Sequence, residues 1–375
     1  MNKKNTFLLW ILLWSTQFTY AQEFYADSNV SKQSPTPSTC PDHSPCSLED
    51  AISAANTYAG NNNATANINL LEQTYIVDEI IVLSPGVSLI GQGSSKTILS
   101  PGNMSLYTGS GLDTNGIPSE IIDQFGSNSA SVGRLFDEML IYVEQAGTFT
   151  LSQSLKGFKI EGDRSKIEAG IVITKSDVTL DDVSIQNTLR TGIRLGNRNA
   201  LVQNVEIKNC RLVSCSNTSF SGPNPTSWGA LMLNYGMKNV SVHHNLIQEG
   251  DGKTEQDRIE AEGNQTLSWG FGIKADARFA RQNGNDGDIT DDLFEDLKIY
   301  SNDIRSGDFG FVGSNNFSIE IFGATKDQDC DKEATFCRGC EIFDNQLRYA
   351  SIVLADVSGC YPNLLSTPGK DDWSI

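Results

Sequence analysis

The chain has 375 residues with 46 acidic against 28 basic side chains, a net charge of -18 at pH 7. Phosphate backbones need a basic footprint, so this charge excludes nucleic acid as the main partner. It also disfavours a polyanionic sugar unless a local basic stripe or a bridging divalent cation intervenes; its plainest meaning is solubility in a salty exterior.

Residues 1 to 21 have the pattern of a secretory signal peptide. Lys3 and Lys4 form the charged region, Phe7 to Trp14 the apolar core, and Thr19-Tyr-Ala21 a cleavage site before Gln22. That run is too short for a bilayer, and no other stretch is apolar enough to cross one. The expected location is therefore secreted: extracellular, periplasmic or at the cell surface. An exported chain with 8 cysteines is expected to form disulfides, and proximity favours Cys40 with Cys46 and Cys210 with Cys215. Cys330, Cys337, Cys340 and Cys360 are left to sort among themselves.

Residues 22 to 39 are polar and read as a flexible lead-in. Between Cys46 and Asn56 the pattern turns helical: Leu48, Ala51, Ile52 and Ala55 share a face, and Ser47 with Asp50 is close to a capping box. Residues 40 to 65 would form an N-terminal cap over an open, apolar first rung.

From 66 to 356 the chain repeats itself. Gly170-Ile-Val-Ile, Gly192-Ile-Arg-Leu, Gly229-Ala-Leu-Met, Gly270-Phe-Gly-Ile and Gly310-Phe-Val-Gly each open a unit. Val183-Ser-Ile, Val205-Glu-Ile, Val240-Ser-Val, Leu297-Lys-Ile and Cys340-Glu-Ile follow them, with Asn245, Asn302 and Asn345 five residues into the last three. A strand and an Asn turn, repeated, make a coil in which each rung buries its inward residues on the next. Stacked Asn amides would bond along the ladder, and an Asn turn suits a left-handed backbone. Second phrases stand 22, 35, 57 and 43 residues apart, so the surplus over the shortest must be loops thrown outward. Phe158-Lys-Ile is a weaker earlier copy; residues 104 to 140 fit the coil least well, and residues 357 to 375 are a C-terminal cap or tail.

Cys46-Ser-Leu-Glu-Asp-Ala-Ile52 resembles the Cys-Ser-Leu-Arg-Glu-Ala-Ile opening of many exported proteins of the pectin lyase-like superfamily, with Glu49 and Asp50 in place of the usual Arg and Glu. Ile68-Asn-Leu, Thr74-Tyr-Ile-Val and Val87-Ser-Leu-Ile are similar to its first coils. The resemblance implies an all-β fold, a right-handed parallel β-helix with a short N-terminal capping helix. It implies less about activity, because members include lyases, hydrolases, epimerases, adhesins and tailspikes. The chain lacks the Arg-x-Pro-x-x-Arg of pectate lyases, the Asn-Thr-Asp and Gly-His-Gly of polygalacturonases, and the Asp-Pro-His-Asp of alginate epimerases.

In that superfamily long loops precede the first strand of each coil and wall a groove. Carried over, the five Gly-led strands become the floor, and 213 to 228 and 248 to 269 the wall. Alternation then points Val172, Arg194, Leu231, Gly272 and Val312 outward in one column, with Thr174, Gly196, Leu233, Lys274 and Ser314 in the next. Trp228 and Trp269 stand at the lip with Phe309 continuing the column, either as platforms for sugar rings or as an interior stack. Arg198, Asn234, Tyr235, Asp276 and Arg278 lie just past the strand ends.

These residues define the expected chemistry: binding of an extracellular polysaccharide and its cleavage by β-elimination at a uronic acid. Lys274 or Tyr235 would be the base if a neighbouring cation activates it, and Arg194 or calcium would neutralise the carboxylate. Arg278 supplies another cation, while Trp228, Trp269, Arg198 and Asn234 bind sugar. Asn283 to Asp292 resembles a calcium loop in its Asp-Gly-x-Ile core, although Gln282 and Leu293 fall where carboxylates belong; Asp276, Asp286 and Asp288 are the candidate ligands. A non-catalytic adhesion module on the same coil, and a glycoside hydrolase using a carboxylate pair, remain open. His243 would share a second outward column with Gln186, Lys208, Tyr300 and Phe343.

Overall fold

The structure, a computed structural model, describes residues 21–104, 139–145, 151–189, 191–197, 200–215, 217–219, 229–248, 267–269, 271–276, 294–305, 317–323, 337–348, 351–356 and 373–374. The expected leader up to Tyr20, the segment 105–138 and the Gly310 phrase lie outside these residues. Among the described residues two parallel sheets, one of 8 strands and one of 17, form a right-handed parallel β-helix. No helix among the described residues is long and apolar enough to cross a membrane.

Alternation drives the coil. Ile141, Ile171, Ile193, Leu231, Ile273 and Ile319 lie in one continuous register across the eight-stranded sheet, all at 0 or 1% exposure. They join one hydrophobic core with Val183, Val205, Val240, Leu297 and Ile342 of the other sheet. Stacking like on like builds this core, and truncating such a side chain to Ala typically costs about 2–5 kcal/mol.

The Asn turns form the expected ladder. Asn245 Nδ2 donates to Asn302 Oδ1 at 3.0 Å, and Asn302 Nδ2 to Asn345 Oδ1 at 2.9 Å. Backbone N–H groups join in: Cys210 donates to Asn245 Oδ1 at 2.9 Å and Asn245 to Asn302 Oδ1 at 3.1 Å. The left-handed residue is not the ladder Asn, however, but the one before it: His244, Ser301 and Asp344 have φ of 53–55°, as has Asn209 before Cys210 at the same corner one rung earlier. The corner thus divides its work between one residue that turns the backbone and a second that satisfies its polar groups.

Leu48–Asn62 is the capping helix, and Ser47 Oγ accepts from the Asp50 N–H at 3.1 Å. Leu48, Ala51, Ala54, Ala55 and Ala59 are buried beneath it. Cys40 and Cys46 are joined as expected, with Cα atoms 5.3 Å apart. Cys210 and Cys215 are not: both are buried thiols. The strand Arg211–Val213 runs between them, and an extended chain advances about 3.3 Å per residue, too far for a disulfide. Cys340 is disulfide-bonded.

Candidate functional site

The outer face of the eight-stranded sheet carries the column Tyr142, Val172, Arg194, Met232, Lys274 and Glu320, each beside the next in register. This corrects the expected phase. Leu231 and Leu233 point into the core, Met232 takes the outer place, and Lys274 stands in the column of Arg194 rather than the next. Gly272 is also an inner position, since a Cβ there would meet Ile304 Cγ2 at 2.6 Å. Phe317–Gly323 is the floor strand after Phe271–Asp276, so the Gly310 phrase with Val312 and Ser314 does not supply it.

All six column residues are buried, Arg194 at 1% and Lys274 and Glu320 at 4% exposure. Lys274 Nζ lies 3.0 Å from Glu320 Oε2. Arg194 donates a hydrogen bond to the Tyr235 hydroxyl. Burial pulls the guanidinium below its ordinary value, to about 9, and Tyr235 opposes the shift; Arg194 is therefore still a cation at neutral pH.

Tyr235 has φ of 68°, in the left-handed region where a bulky side chain is an outlier. Holding it there costs on the order of 1–2 kcal/mol. Gly196, one rung earlier, makes the geometry possible: a Cβ on it would come 2.0 Å from Asn234 O and 3.1 Å from Tyr235 Cδ2. Beside it, the Asn234 side chain is fully buried, and neither its Oδ1 nor its Nδ2 has a hydrogen-bond partner among the described residues. A buried amide left so costs about 1–3 kcal/mol, and a bound water or ligand hydroxyl would relieve it. Thr174 completes the edge, its hydroxyl 3.2 Å from the Tyr142 hydroxyl and its carbonyl accepting from Asn197 Nδ2 at 2.9 Å.

Of the expected site, then, Arg194, Lys274, Asn234 and Tyr235 come together on one face. Arg198, Arg278, Trp228, Asp286, Asp288 and Phe309 lie outside the described residues. Asp276 pairs by backbone with Asn234, and Trp269 with Asn217 in a small antiparallel ribbon that links the two expected wall segments. Among the described residues no three metal-binding side chains cluster. Glu320 and Tyr142 were not anticipated, although Phe317-Ser-Ile-Glu-Ile-Phe322 alternates as a strand should.

The second column also shifts. Lys208, His243, Tyr300 and Phe343 do stand in register, but Gln186 pairs with Val213 and belongs elsewhere. His243 stacks on Tyr300 at 4.7 Å and Tyr300 on Phe343 at 4.9 Å, nearly parallel. Because the rings cover one another's faces, they offer a sugar mainly their edges. His243 also has a carboxylate partner that spacing did not reveal, Glu206 Oε1 at 3.1 Å from Nε2.

No protein-family model matches the chain, and no curated protein matches it. Among solved structures it is similar to a surface adhesin of Streptococcus pneumoniae, at 13% identity and TM-score 0.45, over 90% of this chain and 73% of that one. It is similar to a pectin methylesterase from Erwinia chrysanthemi at 11% identity and TM-score 0.39, over 88% of this chain and 81% of that one. For an alginate lyase from Paenibacillus the values are 12% identity and TM-score 0.33, over 81% of this chain and 95% of that one. Activity has to be read from this chain's own side chains.

Proposed function

We propose that the protein is a secreted β-helix that binds an extracellular polysaccharide and cleaves it by β-elimination at a uronic acid. The observation that carries this reading is the contact between Arg194 and Tyr235, a cation holding a phenol whose backbone is strained. Strain of this kind persists where the surroundings enforce it, and it concentrates at functional sites.

Arg194 pairs with the sugar carboxylate and keeps the Tyr235 oxygen fixed. Tyr235, entering as the phenolate beside Arg194, takes the proton from C5, the electron pair forms the C4–C5 double bond, the bond from C4 to the glycosidic oxygen breaks, and the Tyr235 hydroxyl passes that proton on to the leaving oxygen, which restores the phenolate. Asn234 accepts or donates to a sugar hydroxyl. Lys274 is committed to Glu320, so the role of base passes to Tyr235 and the ion pair positions the floor. Calcium remains part of the proposal through Asp276, Asp286 and Asp288, with no step assigned to it. Arg194 and Tyr235 are each only 1% exposed.

That burial favours a second reading, a non-catalytic glycan-binding module. Ultraviolet absorbance of unsaturated uronate ends separates the two, on a panel of uronic-acid glycans with calcium or with chelator. Rising absorbance lost in Arg194→Ala supports the lyase. A flat trace on every glycan, from folded protein, removes it.

A further inference from the structure

The N-terminal end of the coil has three strand edges to protect, and the described residues cover only two. Gln22–Ala26 pairs along Ala66–Leu70. Over the Ile81–Leu83 strand the helix supplies Asn56, whose Nδ2 donates to Val82 O at 2.9 Å and whose Oδ1 accepts from Ser84 N at 3.1 Å. Among the described residues Thr74–Val77 has a partner on one side alone, the strand Ile98–Pro101. Ile98 N–H bonds to Gln73 O and Gly102 N–H to Val77 O, so in this parallel ladder Tyr75 and Val77 turn their backbone groups toward that partner. Thr74 and Ile76 turn theirs the other way, where the described residues offer no hydrogen bond.

That bare edge is not on an open surface. It lines a cleft of about 670 Å³ between the strand, the segment around Asp27 to Lys32 and the first turns of the capping helix. At about 3.4 Å rise, 4.8 Å strand spacing and 10 Å depth, this holds roughly four extended residues, as many as the edge strand has. Val30, Ile52 and Ile81 give it an apolar lining, and Ile76 is 59% exposed, the most exposed large apolar side chain among the described residues. The charged lining is Asp27, Glu49, Asp78 and Glu79 against Lys32.

We propose that this cleft receives an extended polypeptide segment of a partner protein, bearing basic side chains, as an added strand on Thr74–Val77. Backbone hydrogen bonds to Ile76 would give affinity, as in other strand additions, and the carboxylates would select Lys or Arg. A second copy of the chain is disfavoured by its net charge of -18.

The test uses the full-length chain and a fluorescent hexapeptide alternating Lys and Val, with its Glu and Val counterpart as control, read by anisotropy. Ile76→Pro removes one unpaired N–H at an edge position where proline is tolerated. The expected result is binding of the Lys peptide, weakened by salt, about tenfold or more weaker in Ile76→Pro at unchanged melting temperature, and absent for the Glu peptide. Glu49→Lys with Glu79→Lys leaves the backbone alone and should invert the peptide preference, which keeps the test decisive if the proline variant fails to fold. Equal binding by Ile76→Pro, equal binding of both peptides, no binding at millimolar peptide, or a dimer that Ile76→Pro abolishes would each overturn the proposal.

Discussion

Lys274 Nζ and Glu320 Oε2 lie 3.0 Å apart across one rung, and each side chain is only 5% exposed. Such a pair has surrendered its hydration on both sides, so removing one partner strands the other. Lys274→Met is expected to lower unfolding free energy by about 3–5 kcal/mol, whereas Lys274→Met with Glu320→Leu should recover most of that loss. Urea unfolding of both variants checks it; equal losses would mean the pair contributes nothing as a pair.

The Asn ladder makes a graded prediction. Asn302 serves both neighbours, donating to Val242 O at 3.0 Å and to Asn345 Oδ1, and accepting from Asn245 N–H. Asn302→Ala leaves a buried N–H and a carbonyl unsatisfied, at about 1–3 kcal/mol each. Asn345, half-buried at the end of the ladder, should tolerate the same change better. Thermal melts rank the two, and a more damaging Asn345→Ala would contradict the ladder account.

The coil itself was legible because alternation and Asn spacing are both properties of neighbouring residues. Phase was harder. In Gly229-Ala-Leu-Met-Leu-Asn234 every side but the last is apolar or absent, so alternation cannot say whether the two leucines or Met232 face the core, and a one-residue slip turns every side chain over. Aligning units on their glycines therefore placed Leu231 outside and separated Arg194 from Lys274. Glu320 escaped notice for a related reason: the Gly310 phrase looked like the floor strand, while the chain in fact reaches the sheet at Phe317. The Arg194 contact with Tyr235 spans two rungs with a loop insertion between them, a distance in sequence that no local pattern encodes.

The two cysteines misjudged from proximity are directly testable. Burial pushes the Cys210 thiol up to about 12, and Cys215 is equally buried. Thiolate is the reactive form, so neither should be alkylated by iodoacetamide in the folded protein at pH 8, and both should be alkylated in guanidinium without reductant. Peptide mass spectrometry showing the two joined would reverse the assignment.

Arg194 gives a pH signature of defined sign. Its folded pKa of about 9 lies below the unfolded value, so between the two the unfolded chain binds the extra proton and stability from this group rises with pH. At neutral pH the penalty is fully present. Unfolding free energy of the protein minus that of Arg194→Met should increase from about pH 9 upward, and a difference that stays level or falls would show that the buried guanidinium is fully compensated by its partners.

Tyr235 separates catalysis from architecture most cleanly. Tyr235→Phe keeps the ring that Gly196 accommodates and deletes only the oxygen that meets Arg194. A hydrogen bond to a charged group is worth about 1.5–3 kcal/mol, so a modest fall in stability is expected on any reading of the site. On the lyase reading the same change also removes the base, and turnover of uronic glycan should drop by about 10²–10⁴ while glycan affinity is nearly kept. Tyr235→Gly relieves the left-handed strain yet should be equally inactive, because the oxygen and not the backbone carries the proton. If Tyr235→Phe turns over glycan at the unaltered rate, Tyr235 is not the base, and the strained backbone at this corner serves the packing of Gly196 alone.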